Sequence, residues 1–327
     1  MTDTVRWGIV GTGTIARAMA AALLHTPGAL LAAVASRSTQ SARAFADEYG
    51  APVAFDSYQA LADAPGIDVV YIATPHPMHF ENAMLLLQGG KAVLCEKAFT
   101  MNRRQAEQII ALAREKKLFV MEAMWTRFMP ALAEVRRVIA SGELGEVRHL
   151  TADFGFTAPT DPGHRVNDPA LGGGALLDLG IYPVSIAAVL LGPVQSVVAQ
   201  AEMSEAGVDV QTAFSMRHAG GGLSVCSCSF KVRSPCELTV SGELGFVRMN
   251  TQFHRATSVT VSTAQGSRTI QTPYLGNGYV YEVMEVQRCL QAGLIESPGM
   301  THDETIALMG VLDDIRGQIG LKYAADA

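Results

Sequence analysis

Arg6-Trp7-Gly8-Ile9-Val10-Gly11-Thr12-Gly13-Thr14-Ile15-Ala16 is a short apolar run that breaks into Gly-x-Gly-x-x-Ala and continues as an alanine-rich helical pattern to Leu24. This is a strand, a tight turn and a helix, with glycines where a dinucleotide pyrophosphate would rest on the helix N-terminus. Gly11 permits the turn, Gly13 removes a side chain that would block the phosphates, and Ala16 lets helix and strand pack closely. Thr14 and Ile15, which follow the second glycine, are further candidates for contact with the cofactor. The alternative is a turn whose glycines serve the backbone alone. The strand–turn–helix context favours the dinucleotide.

Outward from this turn, strand and helix patterns alternate. Apolar strands are predicted at Val5–Val10, Leu30–Ser36, Asp68–Thr74, Ala92–Glu96 and Phe119–Glu122. Helices are predicted at Ala16–Leu24, Ser41–Tyr49, Phe80–Gln88 and Arg103–Lys116. The alternation implies a doubly wound parallel sheet. After a helix at Ala131–Ala140, long alternating strands dominate from Val147 to Ser262, interrupted by one long helix, Gly174–Leu191. Helical patterns at Tyr279–Ala292 and His302–Gly317 follow. The expected fold is an α/β Rossmann domain, residues 1–123, and an α+β domain with a large open, mainly antiparallel sheet, residues 124–327. The second domain is expected to bind substrate and to dimerise.

Composition narrows the function. Of 327 residues 49% are apolar and 17% charged, which excludes a disordered chain. A net charge of -6 without basic runs argues against nucleic acid and anionic membranes as partners. No apolar run reaches the length of a membrane span, and the N-terminal residues lack the character of a signal peptide. Of five cysteines, only Cys226 and Cys228 are close in sequence. Two apart on a strand, they share a face. No further ligands at matching spacing accompany them, so they read as packing residues and no metal is expected. A reducing, cytoplasmic compartment fits this usage.

In open α/β sheets, ligands bind beyond the carboxyl ends of the strands. One strand ends in Ala35-Ser36-Arg37-Ser38, where an NAD site usually presents a carboxylate to the ribose. Arg37 there points to the 2′-phosphate of NADP, its alternative being a solvated loop arginine. A second strand ends in Ala73-Thr74-Pro75-His76-Pro77-Met78-His79. Thr74 and His76 fall near the expected nicotinamide ribose. His79 is either a cofactor contact or a helix-start residue without chemistry. A third ends in Cys95-Glu96-Lys97-Ala98. Lys97 beside the Glu96 carboxylate is placed to polarise a substrate hydroxyl, the alternative being a surface ion pair. In the second domain, Leu171-Gly172-Gly173-Gly174 precedes Asp178 and Tyr182, four apart and so on one helix face. An acid and a phenol on an apolar helix are either a core hydrogen-bonded pair or a proton-transfer pair opening on a site.

With these motifs assembled, the chain resembles the oxidoreductases related to glucose–fructose oxidoreductase and inositol dehydrogenase, in the branch of dimeric dihydrodiol and NADP-dependent D-xylose dehydrogenases. The resemblance rests on Gly8 to Gly13, His76 to His79, Gly90 to Lys97, Met121-Glu122-Ala123-Met124-Trp125-Thr126-Arg127-Phe128, and Gly172 to Tyr182. It implies a catalytic lysine at Lys97, a tyrosine general acid/base at Tyr182, and an aspartate partner at Asp178. It also implies substrate contacts at Trp125 and Phe154, to which Arg165 is added as a candidate. The family's Glu-Lys-Pro is Glu96-Lys97-Ala98 here, so the chain lacks the proline that normally fixes the backbone beside the lysine.

The expectation is an NADP-dependent dehydrogenase, with NAD as the other cofactor considered. It would transfer hydride between nicotinamide and a carbinol carbon of a sugar, polyol or cyclic diol. Two rivals share the scaffold: a redox-assisted, NAD-dependent glycosidase and a non-catalytic dinucleotide sensor. Retention of both Lys97 and Tyr182 argues against the sensor.

Overall fold

The computed structural model describes residues 4–161 and 163–327. By internal contact it divides into a unit comprising residues up to Trp125 with Leu275–Ile306, and a unit comprising Thr126–Tyr274 with Ala307–Ala327.

The first unit is built on six parallel strands: β1 (Val5–Val10), β2 (Ala29–Ala35), β3 (Val53–Phe55), β4 (Val69–Ile72), β5 (Ala92–Glu96) and β6 (Val120–Ala123). Their spatial order is β3-β2-β1-β4-β5-β6, every pair parallel. This doubly wound order reverses between β1 and β4, which places the ligand crevice at the carboxyl ends of those two strands. The helices are α1 (Thr14–His25), α2 (Thr39–Tyr49), α3 (Tyr58–Asp63), α4 (His79–Gln88) and α5 (Arg103–Lys116). The expected strands and helices are present to within a residue or two. β3 and α3 escape the sequence pattern because three- and six-residue elements are too short to express a period.

Leu275–Ile306 returns to this unit, although its place along the chain associates it with the second half. It carries α8 (Val280–Gln291), which packs on α1. Side-chain and backbone bonds hold it: Asn277 Nδ2 donates to Ala18 O at 2.7 Å and Val120 N to Ile295 O at 3.0 Å.

The second unit holds an eight-stranded sheet in the order β14-β13-β12-β11-β7-β10-β9-β8. The strands are β7 (Val147–Gly155), β8 (Val194–Met203), β9 (Asp209–His218), β10 (Leu223–Ser229), β11 (Leu238–Gly242), β12 (Gly245–Met249), β13 (Ser258–Thr263) and β14 (Gly266–Gln271). All pairs are antiparallel except β7 with β10. β14 is a polar, largely exposed edge strand, so it shows no apolar alternation to read. α6 (Pro130–Ala140) packs on β12 and β13, and α7 (Ile181–Leu191) on β7 and β10.

The helical run Pro169–Leu191 corrects one expectation. Among the described residues it is long and apolar enough to cross a membrane, and 78% of the qualifying window is buried within the fold. Its single charge, Asp178, interrupts the apolar run in the sequence. It is a core helix. All five cysteines are free and buried; Cys226 and Cys228 lie side by side on one face of β10 as packing residues.

Candidate active site

In the first unit, Gly11 follows β1 with φ 102°, and a Cβ there would lie 2.8 Å from Ala73 O beyond β4. Both the dihedral and the close approach demand glycine. Gly13 caps α1 without a side-chain hydrogen bond, and a Cβ on it would meet nothing within 4 Å. The space beside Gly13 is open at the N-terminus of α1, whose first-turn N–H groups include those of Thr14 and Ile15. This suits a phosphate anion, by both hydrogen bonding and helix dipole. Ser36, at the end of β2, is buried and its Oγ accepts from Ser38 N at 3.3 Å. Arg37 beside it is exposed and reaches Tyr58, whose pKa is raised by burial against that contact.

The loop after β4 is tied to the loop after β5. His76 Nε2 lies 3.1 Å from Lys97 O; His79 Nδ1 lies 3.0 Å from Ala98 O and its Nε2 2.8 Å from Thr74 O. Thr74 Oγ1 accepts from Asn82 Nδ2 at 3.1 Å. His79 is fully enclosed, and burial pulls its pKa below the ordinary imidazole value. Its two nitrogens serve the loops. Lys97 is half-buried, its N–H donates to Glu96 Oε2 at 3.2 Å, and the Lys97–Ala98 peptide is cis. The backbone beside the lysine is thus held by His76, His79 and Glu96.

Behind Glu96 lies a buried polar group that sequence reasoning missed. The Tyr71 hydroxyl donates to Glu96 Oε1. Glu282 on α8 is fully enclosed, with neither carboxylate oxygen hydrogen-bonded. Burial, and then Glu96, push its pKa well above the usual carboxylate range. Trp125 is 4% exposed and stacks on Tyr279 with centroids 4.5 Å apart. Its ring is held by a second aromatic.

In the second unit, the expected helix Gly174–Leu191 begins as a π-helical turn, Leu176–Gly180, before α7. Such turns recur at functional sites. Gly174 has φ 118°, and its Cβ would fall 2.3 Å from Asp209 Oδ1. Asp209 is buried and its Oδ2 accepts from Leu176 N at 2.8 Å and Thr212 Oγ1 at 2.6 Å, so it caps the turn. Its pKa is raised to about 6 by burial, against these hydrogen bonds. Asp178 Oδ2 accepts from Arg165 Nη2 at 3.0 Å; the acid is 9% exposed while the arginine is largely open. Tyr182, 6% exposed, lies against Phe154 at 5.3 Å and His254 at 5.8 Å between ring centroids. Phe154 in turn stacks on His254 at 4.5 Å and 11°. His254, in the turn Phe253–Arg255, thus joins an aromatic cluster that no sequence period could have assigned to it.

A sequence model of the oxidoreductase family with an NAD-binding Rossmann fold, GFO/IDH/MocA, matches residues 5–124. That family's C-terminal domain matches residues 132–248. The chain belongs to the GFO/IDH/MocA oxidoreductases. Within this family it is 34% identical to the trans-1,2-dihydrobenzene-1,2-diol dehydrogenase of Danio rerio, covering 99% of each chain. It is 35% identical to the human protein of the same name, over 98% of this chain and 99% of that one. Among solved structures it resembles a 3-ketoreductase from Actinomadura kijaniata in complex with NADP and TDP-benzene. That TM-score is 0.88 at 25% identity, over 97% and 98% of the two chains. A levoglucosan dehydrogenase shares the fold, with TM-score 0.90 at 19% identity and the same 97% coverage of this chain and 97% of that one. The chain is therefore a nicotinamide-dependent oxidoreductase of dehydrogenase type.

Proposed function

We propose that this dehydrogenase prefers NADP and acts on a secondary hydroxyl of a cyclic diol, sugar or polyol. The observation that carries the reading is the grouping of a phenol and a carboxylate in the second unit. Tyr182 is set in an aromatic wall of Phe154 and His254, one turn from an Asp178 carboxylate held by Arg165. When bound, the nicotinamide supplies the hydride acceptor or donor. Tyr182 exchanges the hydroxyl proton, Lys97 holds the oxygen and stabilises a tyrosinate, and Asp178 and Arg165 orient the substrate. Trp125 and Phe154 supply apolar walls. The names of the curated relatives support a diol as the first substrate to test.

The glycine turn of Gly11 and Gly13 holds the pyrophosphate, and Arg37 pairs with the 2′-phosphate. Ser36, Arg37 and Ser38 place no carboxylate there to repel it. Thr74, His76, His79, Glu96 and Lys97 frame the nicotinamide end. Absorbance at the NADPH band, with trans-1,2-dihydrobenzene-1,2-diol and a panel of aldoses and polyols, tests both parts together. Wild type is expected to turn over NADP in preference to NAD. Arg37→Ala is expected to raise the KM for NADP about ten-fold or more, and that for NAD little. Equal effects on both cofactors sink the role of Arg37. Net glycoside hydrolysis without cofactor turnover sinks the dehydrogenase.

A homodimer through the open face of the second sheet completes the reading. β9 alternates buried Phe214 and Met216 with exposed Ala213 and Ser215. The row Val198, Ser215, Val225, Thr151, Thr239 runs across five strands on the face opposite α6 and α7. Val198 is 67% and Val225 51% exposed. A broad, weakly polar sheet face of this kind marks an interface, and two-fold closure is its commonest solution. Light scattering at micromolar concentration is expected to give twice the chain's mass. A particle of one chain's mass, unchanged on concentration, overturns it. The free, buried cysteines support a reducing, cytoplasmic compartment.

A further inference from the structure

Leu321–Asp326, following α9 (His302–Ile319), is tied to the segment that precedes the catalytic turn. Arg316 near the end of α9 is 5% exposed. It donates to Asp326 Oδ2 at 2.9 Å and Oδ1 at 3.1 Å, and to Asp313 Oδ1 at 2.7 Å. Its guanidinium lies 5.3 Å from the centroid of the Tyr323 ring, and Tyr323 N donates to Asp326 Oδ2 at 2.9 Å. A charge-assisted knot, its arginine buried and its two carboxylates part-exposed, therefore fixes the phenol. Tyr323 Oη then donates to Gly173 O at 2.5 Å.

Gly173 is where that bond matters. Its N–H donates to Asp168 O at 2.9 Å, and Gly174 N–H to Val166 O at 2.9 Å. A Cβ on Gly173 would lie 2.7–2.9 Å from the carbonyl oxygens of Val166, Asp168 and Arg165, so that loop rests directly on the glycine backbone. The loop carries Arg165, which holds Asp178. From Gly174 the chain passes through the Asp209-capped turn to Asp178 and Tyr182.

We propose that Tyr323 is a positioning residue: it clasps the Gly173 peptide and so sets the Arg165–Asp178 pair that orients substrate toward Tyr182. This rests on the assignment of Asp178 and Tyr182 made above. A clasp that served only to hold the fold together would change stability and the active fraction, and leave substrate recognition alone.

Tyr323→Phe removes one oxygen and keeps the ring under Arg316. With NADP and the panel substrate that wild type turns over best, the substrate KM is expected to rise about three- to ten-fold, the loss of one hydrogen bond, with the NADP KM unchanged. In an Arg165→Ala background the same change is expected to add little, because the two act through one contact. Hydrogen exchange gives a readout independent of turnover. Deuterium uptake is expected to rise in a peptide spanning residues 165–178 and to stay as in wild type over β11 to β13. An unchanged substrate KM with unchanged local exchange overturns the clasp. So does full additivity with Arg165→Ala, or exchange raised uniformly across the unit. Tyr182→Phe, assayed alongside, separates the two levels. If that variant keeps its turnover, the underlying site assignment fails. If it collapses while Tyr323→Phe behaves as wild type, only the clasp fails.

Discussion

Replacing Tyr182 by phenylalanine is expected to lower turnover by roughly 10²–10⁴-fold, the contribution of a positioned general acid/base. Cofactor affinity should stay nearly intact. The substitution is clean because the ring already earns its place by packing: it is 6% exposed and lies against Phe154 and His254, contacts that a phenylalanine ring reproduces. Only the hydroxyl is lost. The residues assigned to NADP belong to the first unit, so a fluorescence titration of NADPH should give a Kd within about two-fold of wild type. Stopped-flow or steady-state absorbance supplies the rate. Near-normal turnover would remove Tyr182 from the chemistry and leave His254 and Asp178 as the proton carriers to examine. A fall in turnover matched by an equal fall in folded protein, measured by thermal denaturation, would indict packing instead.

The site and the fold were unequally legible in the chain, for physical reasons. Ala92–Glu96 and Arg103–Lys116 emerge with their expected bounds. The first is an apolar strand buried throughout; the second has an Asn102 cap, bonded to Gln105 N at 3.0 Å, ahead of a strongly amphipathic run. The strand ends follow from topology, so Gly11, Thr74 and Lys97 could be named from pattern alone. The π turn at Leu176–Gly180 could not, because its periodicity differs from an α-helix by less than one residue per turn. Nor could the return of Leu275–Ile306 to the first unit: helical periodicity says which face of α8 is apolar but not which layer it covers. His254 and Glu282 were invisible for a related reason. A titratable residue in a short turn, or one polar position in a helix, gains meaning only from neighbours brought in by the fold, here Tyr182 and Glu96. Trp125 was read from resemblance as a substrate wall, and its stacking on Tyr279 shows what holds it in place.

Lys97→Met is expected to cost turnover on the same scale as Tyr182→Phe, roughly 10²–10⁴-fold, for a different reason. Methionine matches the length of the lysine stem and removes the ammonium. The backbone does not depend on that ammonium. Lys97 N–H is bonded to Glu96 Oε2 at 3.2 Å, and its carbonyl faces His76 Nε2 at 3.1 Å. Ala98 O faces His79 Nδ1, and Phe99 N–H donates to Glu122 Oε1 at 3.0 Å. The loop should therefore keep its shape, and the loss should report the missing charge at the substrate oxygen. Arginine is not expected to rescue, because a planar guanidinium on a fixed fork cannot occupy the point position of an ammonium. The Kd for NADPH is expected to rise by less than about ten-fold, since the residues proposed to hold the pyrophosphate and the 2′-phosphate, Gly11, Gly13 and Arg37, are elsewhere. Two results would count against this role. Turnover of Lys97→Met within about ten-fold of wild type would make the lysine a structural ion-pair partner of Glu96. Recovery by Lys97→Arg to wild-type rates would mean that any cation at the strand end suffices, and that the ammonium does not hold the reacting oxygen.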